Sequence, residues 1–96
     1  MAIQSFDDKS TESFFYSGRT KKNVGWANIR SIAKRKLDML HYATQLKDLR
    51  SPPGNHLEAL KGDLVGYHSI CINDQWRIIF KWIETGPIDV KICDYH

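Results

Sequence analysis

The sequence predicts an α+β domain in which helices come first and an antiparallel sheet follows. Trp26, Ile29, Ala33, Leu37 and Leu40 recur at helical spacing and lay one apolar stripe along an α-helix. Trp76, Ile78, Phe80 and Trp82 alternate with Gln75, Arg77, Ile79 and Lys81, the period of two that marks a half-buried strand. Between them, Ser51-Pro52-Pro53-Gly54-Asn55 is a turn cluster dividing the two halves. Helices segregated from strands along the chain give the α+β arrangement.

Residues 2–6 read as a short strand that stops at Asp7-Asp8, two carboxylates suited to capping a helix over 8–16. Ser17-Gly18 ends that helix, since glycine tolerates the left-handed position past a last turn. A basic loop over 19–24 leads into the long helix expected from Gly25 to Thr44. Arg30, Lys34 and His41 fall beside its apolar stripe, within about 80° of Trp26 on the helical wheel, and would form a cationic ridge. Lys36 falls among the apolar positions, so its ammonium is expected to snorkel to water. Residues 56–60 suit a short strand, Lys61-Gly62-Asp63 a turn, and 65–72 a strand closed by a turn at Asn73-Asp74. The strand over 75–82 turns its aromatic face to the helices and leaves the face with Arg77 and Lys81 open to water or a ligand. After Gly86-Pro87, residues 88–95 alternate again, with Ile88, Val90 and Ile92 expected inward and Asp89, Lys91 and Cys93 outward.

At 96 residues the chain is expected to be one domain, residues 1–96, because two cores would each be too small to hold themselves together. That length excludes a TIM barrel and a complete dinucleotide-binding fold. With 42% hydrophobic, 26% charged and eleven aromatic residues, the composition is globular. No apolar run approaches a membrane span, and the N-terminus lacks the basic start and apolar segment of a secretory signal. Cys71 and Cys93 make neither a CxxC pair nor a zinc pattern and read as reduced thiols. His41, His56, His68 and His96 are scattered. The expectation is a cytoplasmic protein with no metal and no cofactor.

The net charge of +3 hides a block pattern: residues 19–50 hold nine bases against two acids, whereas the segments on either side are each net acidic. Such asymmetry points to a polyanionic partner. Arg19, Lys21, Lys22, Arg30 and Lys34 are the candidate RNA contacts within the block, with Lys81 added from the strand. A solvated helix face is the plain alternative. Arg77, flanked by apolar residues of opposite parity, is suited to a bidentate grip on phosphate, or else to a cross-strand ion pair with Asp89 or Glu58. The sequence closes on Asp94-Tyr95-His96. Regular alternation would put Tyr95 on the Arg77 face and Asp94 and His96 on the other, so the strand must bend or fray for all three to share a site. If they converge, His96 moves a proton near neutral pH, Tyr95 stacks or donates a hydrogen bond, and Lys61 with Arg77 stabilises charge on a phosphorane. RNA cleavage through its own 2′-hydroxyl requires no metal.

Pro52-Pro53-Gly54-Asn55, Leu57-Glu58-Ala59-Leu60-Lys61-Gly62-Asp63, Gly66-Tyr67, Ser69-Ile70, Asn73-Asp74-Gln75-Trp76-Arg77-Ile78 and the final Asp94-Tyr95-His96 together resemble a HigB-type toxin of the RelE/ParE superfamily, and the resemblance extends over essentially the whole chain. It implies a small microbial-ribonuclease-like, RelE-like α+β fold and a bacterial type II toxin–antitoxin system. Toxins of this kind enter the A site of the 70S ribosome and cut the translated mRNA. The implied partner is a HigA-type helix-turn-helix antitoxin, which brings the toxin to operator DNA indirectly. By position, Lys61 and Arg77 match the family's basic residues at the scissile phosphate, and Asp94, Tyr95 and His96 its C-terminal site. The chain departs from some relatives at Glu58, where they carry a histidine; Glu58 is therefore a candidate base. The rivals are a ParE-like gyrase inhibitor and a non-catalytic subunit of a DNA-binding repressor complex.

Overall fold

The computed structural model describes residues 2–20 and 24–94. Helix α1 (Lys9–Ser17) starts where the Asp8 carboxylate accepts a hydrogen bond from the Thr11 N–H at 2.8 Å. It ends at Gly18, whose φ of 74° lets its own N–H return to the Phe14 carbonyl, so both ends are satisfied by the residues expected to satisfy them. Helix α2 spans Arg30–Tyr42, shorter than the expected 25–44. Ala27–Ile29 form a 3₁₀ turn instead, closed by N–H groups of Ala27 and Ile29 on the carbonyls of Val24 and Trp26. That turn seats the buried Trp26 ring 4.9 Å from Phe14 and so ties the approach to α2 onto α1.

Four antiparallel strands follow in the spatial order β1 (Glu58–Ala59), β2 (His68–Cys71), β3 (Trp76–Ile83) and β4 (Gly86–Asp94). Strand β2 starts later than expected because the Tyr67 N–H bonds to the Leu64 carbonyl in the turn that follows Lys61. The β2–β3 turn is held by Asn73, whose side-chain oxygen accepts from the N–H groups of Gln75 and Trp76 at 2.9 and 2.8 Å. The core lies between the helices and one face of the sheet. Phe14, Ala33, Leu37 and Leu40 meet Ile70, Ile78, Phe80 and Val90 there, all essentially without solvent contact. Burying side chains of this size contributes about 1.5–3 kcal/mol each, enough to make the shared apolar face the main determinant of how the layers dock.

Three expectations are corrected. Residues 2–6 do not form a strand; they run extended beside β4 with one isolated parallel bridge, Phe6 to Val90. The segment still seals the β4 edge: the Gln4 N–H donates to Pro87, the Val90 N–H to Ser5 and the Asp7 N–H to Val90. Thr11 of α1, itself fully buried, accepts from the Ile92 N–H at 3.1 Å and completes the seam. An open edge of paired-strand backbone is thereby covered.

Ile88 does not point inward. An extra residue in β4 shifts the register between Ile79 and Lys81, so Ile88 pairs with Lys81 and shares its outer face. The bulge centres on Asp89, at φ 53°, whose N–H donates to the Ser5 hydroxyl at 2.9 Å. A bulge reverses the alternation beyond it, which residue pattern alone does not announce.

Lys36 does not snorkel. It is 8% exposed and its ammonium donates to the side-chain oxygen of Asn55. Asn55, also buried, donates in turn to the Leu49 carbonyl at 3.1 Å. Burial, followed by the nearby Arg35 charge, holds the Lys36 amine below its ordinary value. The pair fastens the 49–55 loop to α2. No helix among the described residues is long and apolar enough to cross a membrane.

Candidate active site

The sheet face turned away from the helices carries Glu58, Ser69, Cys71, Arg77, Lys81 and Cys93, as the strand register dictates. Arg77 is at its centre, paired with Cys71 on one side and Cys93 on the other. Its side chain leans diagonally across β2 toward β1. Nε donates to the Ser69 hydroxyl at 2.9 Å, Nη2 donates to the His56 carbonyl at 2.8 Å, and Nη2 lies 3.3 Å from Glu58 Oε1. The guanidinium is therefore gripped on two edges and its side chain is only 16% exposed. Nη1 has no partner among the described residues, so one edge of the fork remains to meet an anion.

Of the two ion-pair partners considered for Arg77, Glu58 is the one found. The Glu58 side chain is half exposed, and an ion pair so open to water contributes about 1 kcal/mol or less. The bonds to Ser69 and His56 are what position the arginine. Neither anchor was expected. Ser69 is buried and sits opposite Glu58 in the register, and only that register reveals it as the acceptor. His56 contributes its backbone; its φ of 46° is a left-handed conformation that a non-glycine residue adopts at a cost of about 1–2 kcal/mol.

Lys61 is exposed and opens the turn at 62–64; its ammonium has no partner among the described residues. Asp94 pairs with Trp76 in register and accepts from the Gln75 side chain at 2.9 Å. It therefore shares the Trp76 parity, not that of Arg77. Tyr95 and His96 lie outside the described residues, as do Lys21 and Lys22. Beside Glu58, a cavity of about 390 Å³ is lined by Lys47, Arg50, Leu57 and His68, and the His68 Nδ1 atom is buried without a hydrogen-bond partner among the described residues.

The basic candidates divide. Arg19 and Arg30 line one open depression together with Thr20 and Asn28, although the Arg30 guanidinium also donates to the Ala27 carbonyl at 3.0 Å. Lys34 is held within the helical layer by Asp38 at 2.6 Å and by the Phe15 ring at 4.8 Å. His41 is engaged within the fold instead of standing free on a ridge: its Nδ1 accepts from the Ile3 N–H at 3.2 Å. Lys81 lies on the Arg77 face, 4.9 Å over the Tyr67 ring and 4.0 Å from Asp89. Cys93, beside Arg77, has its thiol pushed up by burial, which disfavours the thiolate. No group of three metal-ligating side chains occurs among the described residues.

Comparison with known proteins adds to this geometry. Residues 4–96 match the model of a family described as the RelE-like toxin of type II toxin–antitoxin system HigB. Toxin HigB-1 of Vibrio cholerae serotype O1 is 39% identical over 92 residues, covering 96% of this chain and 95% of its own. Endoribonuclease HigB of Proteus vulgaris is 33% identical over 94 residues, covering 98% and 99%. Among solved structures, a YoeB/ParE toxin from Agrobacterium tumefaciens superposes with a TM-score of 0.55 at 20% identity, over 100% of this chain and 99% of that one. A YoeB–YefM complex from Staphylococcus aureus gives 0.55 at 19%, again over 100% and 99%. At such identities these two likenesses speak to the fold alone.

Proposed function

This chain belongs to the HigB family of RelE-like toxins of type II toxin–antitoxin systems, and we propose that it is an endoribonuclease that cuts messenger RNA as the 70S ribosome translates it. The relative from Proteus vulgaris bears the name of an endoribonuclease. The observation that carries the reading here is the Arg77 guanidinium, on the outer sheet face, fixed at Ser69 and His56 while its Nη1 has no partner among the described residues. A preorganised cation of this kind stabilises negative charge as it builds on a phosphorane and needs no reorganisation at the moment of reaction.

In the proposed reaction the ribose 2′-hydroxyl attacks the adjacent phosphorus and the bond to the 5′-oxygen breaks, leaving a cyclic phosphate and a free 5′-hydroxyl. Glu58, 3.3 Å from Arg77, takes the 2′-hydroxyl proton. His96 returns a proton to the leaving oxygen, Lys61 and Arg77 neutralise the phosphorane, and Tyr95 and Asp94 position the base and the histidine. The nucleophile belongs to the substrate, so the scheme requires no metal. Arg19, Lys21, Lys22 and Arg30, with Lys81 at the site, hold phosphates of ribosomal and messenger RNA. The partner is an antitoxin, read here as HigA-type with a helix-turn-helix domain through which the pair reaches operator DNA, and the setting is the cytoplasm.

The test is message integrity in a reconstituted translation system, with and without ribosomes. Cuts confined to translated message and lost in Arg77→Ala, with a chelator used only to strip the purified toxin before it is added, are the expected result. Intact message with translation unaffected would overturn the reading and direct attention to gyrase.

A further inference from the structure

The cavity beside Glu58 lies at the open edge of the sheet. β1 is the outermost strand and only two residues long, and the 3₁₀ turn Leu46–Arg50 forms the other wall. Leu46, Leu57 and Ala59 supply the apolar lining, the two leucines resting against the core. Lys47, Arg50 and His68 supply the polar lining with Glu58. The turn is held in place at its start and near its end. The Asp48 carboxylate accepts from the N–H groups of Thr44 and Gln45 at 3.1 and 3.0 Å and from the Thr44 hydroxyl at 2.9 Å. The carbonyl of buried Leu49 accepts from Asn55 at 3.1 Å. The acid adjoining Lys47 in sequence is thus engaged in capping the turn, and neither Lys47 nor Arg50 has an ion-pair partner among the described residues.

His68 is fixed by its ring and left open at one nitrogen. It pairs with Ala59 on one side and Phe80 on the other, and it stacks on the Phe80 ring with centroids 6.1 Å apart. Nδ1 is walled in without a partner among the described residues. Nε2 is not walled in, and no described residue bonds to it, so it is the ring nitrogen that meets whatever enters the cavity. A volume of about 390 Å³ is at the small end for ligand cavities and suits a single nucleotide. Apolar walls take the faces of a base, the imidazole nitrogen takes its edge, and the cations take a phosphate, which is how unstacked RNA is read one base at a time. An acidic protein segment would satisfy the cations but not the apolar walls.

Glu58 joins this cavity to the Arg77 site, since its carboxylate lies 3.3 Å from Nη2 and also lines the cavity. In the proposed reaction Glu58 takes the proton of the attacking 2′-hydroxyl, and that hydroxyl belongs to the nucleotide on the 5′ side of the cut. The base of the same nucleotide is therefore the one nearest the cavity. We propose that the cavity is a specificity subsite for this base, with His68 Nε2 contacting its edge and Lys47 and Arg50 meeting the phosphate that precedes it. The proposal rests on the ribonuclease reading and names the nucleotide that the site discriminates.

The test is cleavage on ribosomes programmed with four messages that differ only at the nucleotide 5′ to the cut. kcat and KM are read for each, with thermal unfolding as the control for folding. Wild type is expected to separate the best message from the worst by roughly fivefold or more in kcat/KM, the scale of one hydrogen bond. His68→Phe keeps a ring on Phe80 and removes both nitrogens, and it should bring the four messages within about twofold of one another. Lys47→Ala with Arg50→Ala should raise KM by roughly tenfold on every message while the preference persists. The proposal is overturned if wild type cuts all four alike, or if a folded His68→Phe chain keeps the wild-type preference. Should His68→Phe not fold, the double variant decides, and an unchanged KM overturns the proposal. It is equally overturned if the double variant binds message-free ribosomes more weakly by the same factor, which would make the cations a ribosomal RNA contact, or if it loses only affinity for the antitoxin. A wild-type chain that cuts no translated message removes the ribonuclease reading and the subsite with it, whereas one that cuts without preference at this position removes the subsite alone.

Discussion

Ser69→Ala isolates the part played by orientation in the Arg77 site. The serine is buried, so alanine removes one oxygen and leaves the β2 backbone where it was. What disappears is the acceptor 2.9 Å from Arg77 Nε. A hydrogen bond from a charged donor contributes about 1.5–3 kcal/mol. Because the arginine side chain keeps 16% exposure, water recovers part of that, and the expected loss is about 1–2 kcal/mol. At 1.4 kcal/mol per factor of ten, kcat/KM for message cleavage should fall roughly 5–30-fold. Single-turnover cleavage on programmed ribosomes reads the effect, with thermal denaturation as the control for folding. Arg77→Lys keeps the charge but lacks the Nε–H, so adding Ser69→Ala to it should cost almost nothing further; the two losses are one loss. Wild-type cleavage by a correctly folded Ser69→Ala chain would show that the fixed guanidinium does not matter, and the argument from preorganisation would fall.

Three other outcomes are expected. The Asp48 carboxyl is held below 3.8 by the backbone N–H of Gln45 and by the hydroxyl and N–H of Thr44. Its stabilisation is present above that ordinary value and lost as pH falls through the folded-state value, so the melting gap between wild type and Asp48→Asn should be widest near neutrality and close in acid. Gly25→Ala should lower stability by about 1–3 kcal/mol in denaturant unfolding, because a Cβ there would stand 2.6 Å from the Trp76 ring. Binding to ribosomes should weaken steeply with salt, by orders of magnitude between low and moderate ionic strength if several phosphates are contacted; a flat response would make the 19–36 block a solvated face.

What could be read in advance follows the range of the forces involved. The caps of α1 were legible because Asp8, Thr11, Phe14 and Gly18 lie within one short segment. The inward direction of Ile78 and Phe80 was legible because alternation is local. Ile88 was misjudged because the bulge beside it is held by Ser5, 84 positions from Asp89, and Lys36 because its acceptor is 19 residues away. At the site, the sequence pattern put Arg77 on the outer face and named Glu58 as one of two possible partners. It did not name Ser69 or the His56 carbonyl, since the first depends on strand register and the second on a backbone conformation. Asp94 kept the Trp76 parity that alternation assigned to it.

The seam that the N-terminal segment and Thr11 make along β4 also bears on when the toxin comes into being. Its side-chain contacts span 81 and 84 residues, and contacts so distant in sequence close late and slow the folding reaction. During synthesis, the first residues wait for a strand not yet made. Arg77 emerges before β4, but its sheet acquires a finished edge only when β4 arrives to pair with residues 4–7. Closure of this seam therefore has to wait until β4 has been made, and with it the shielding of the sheet edge beside the Arg77 strand.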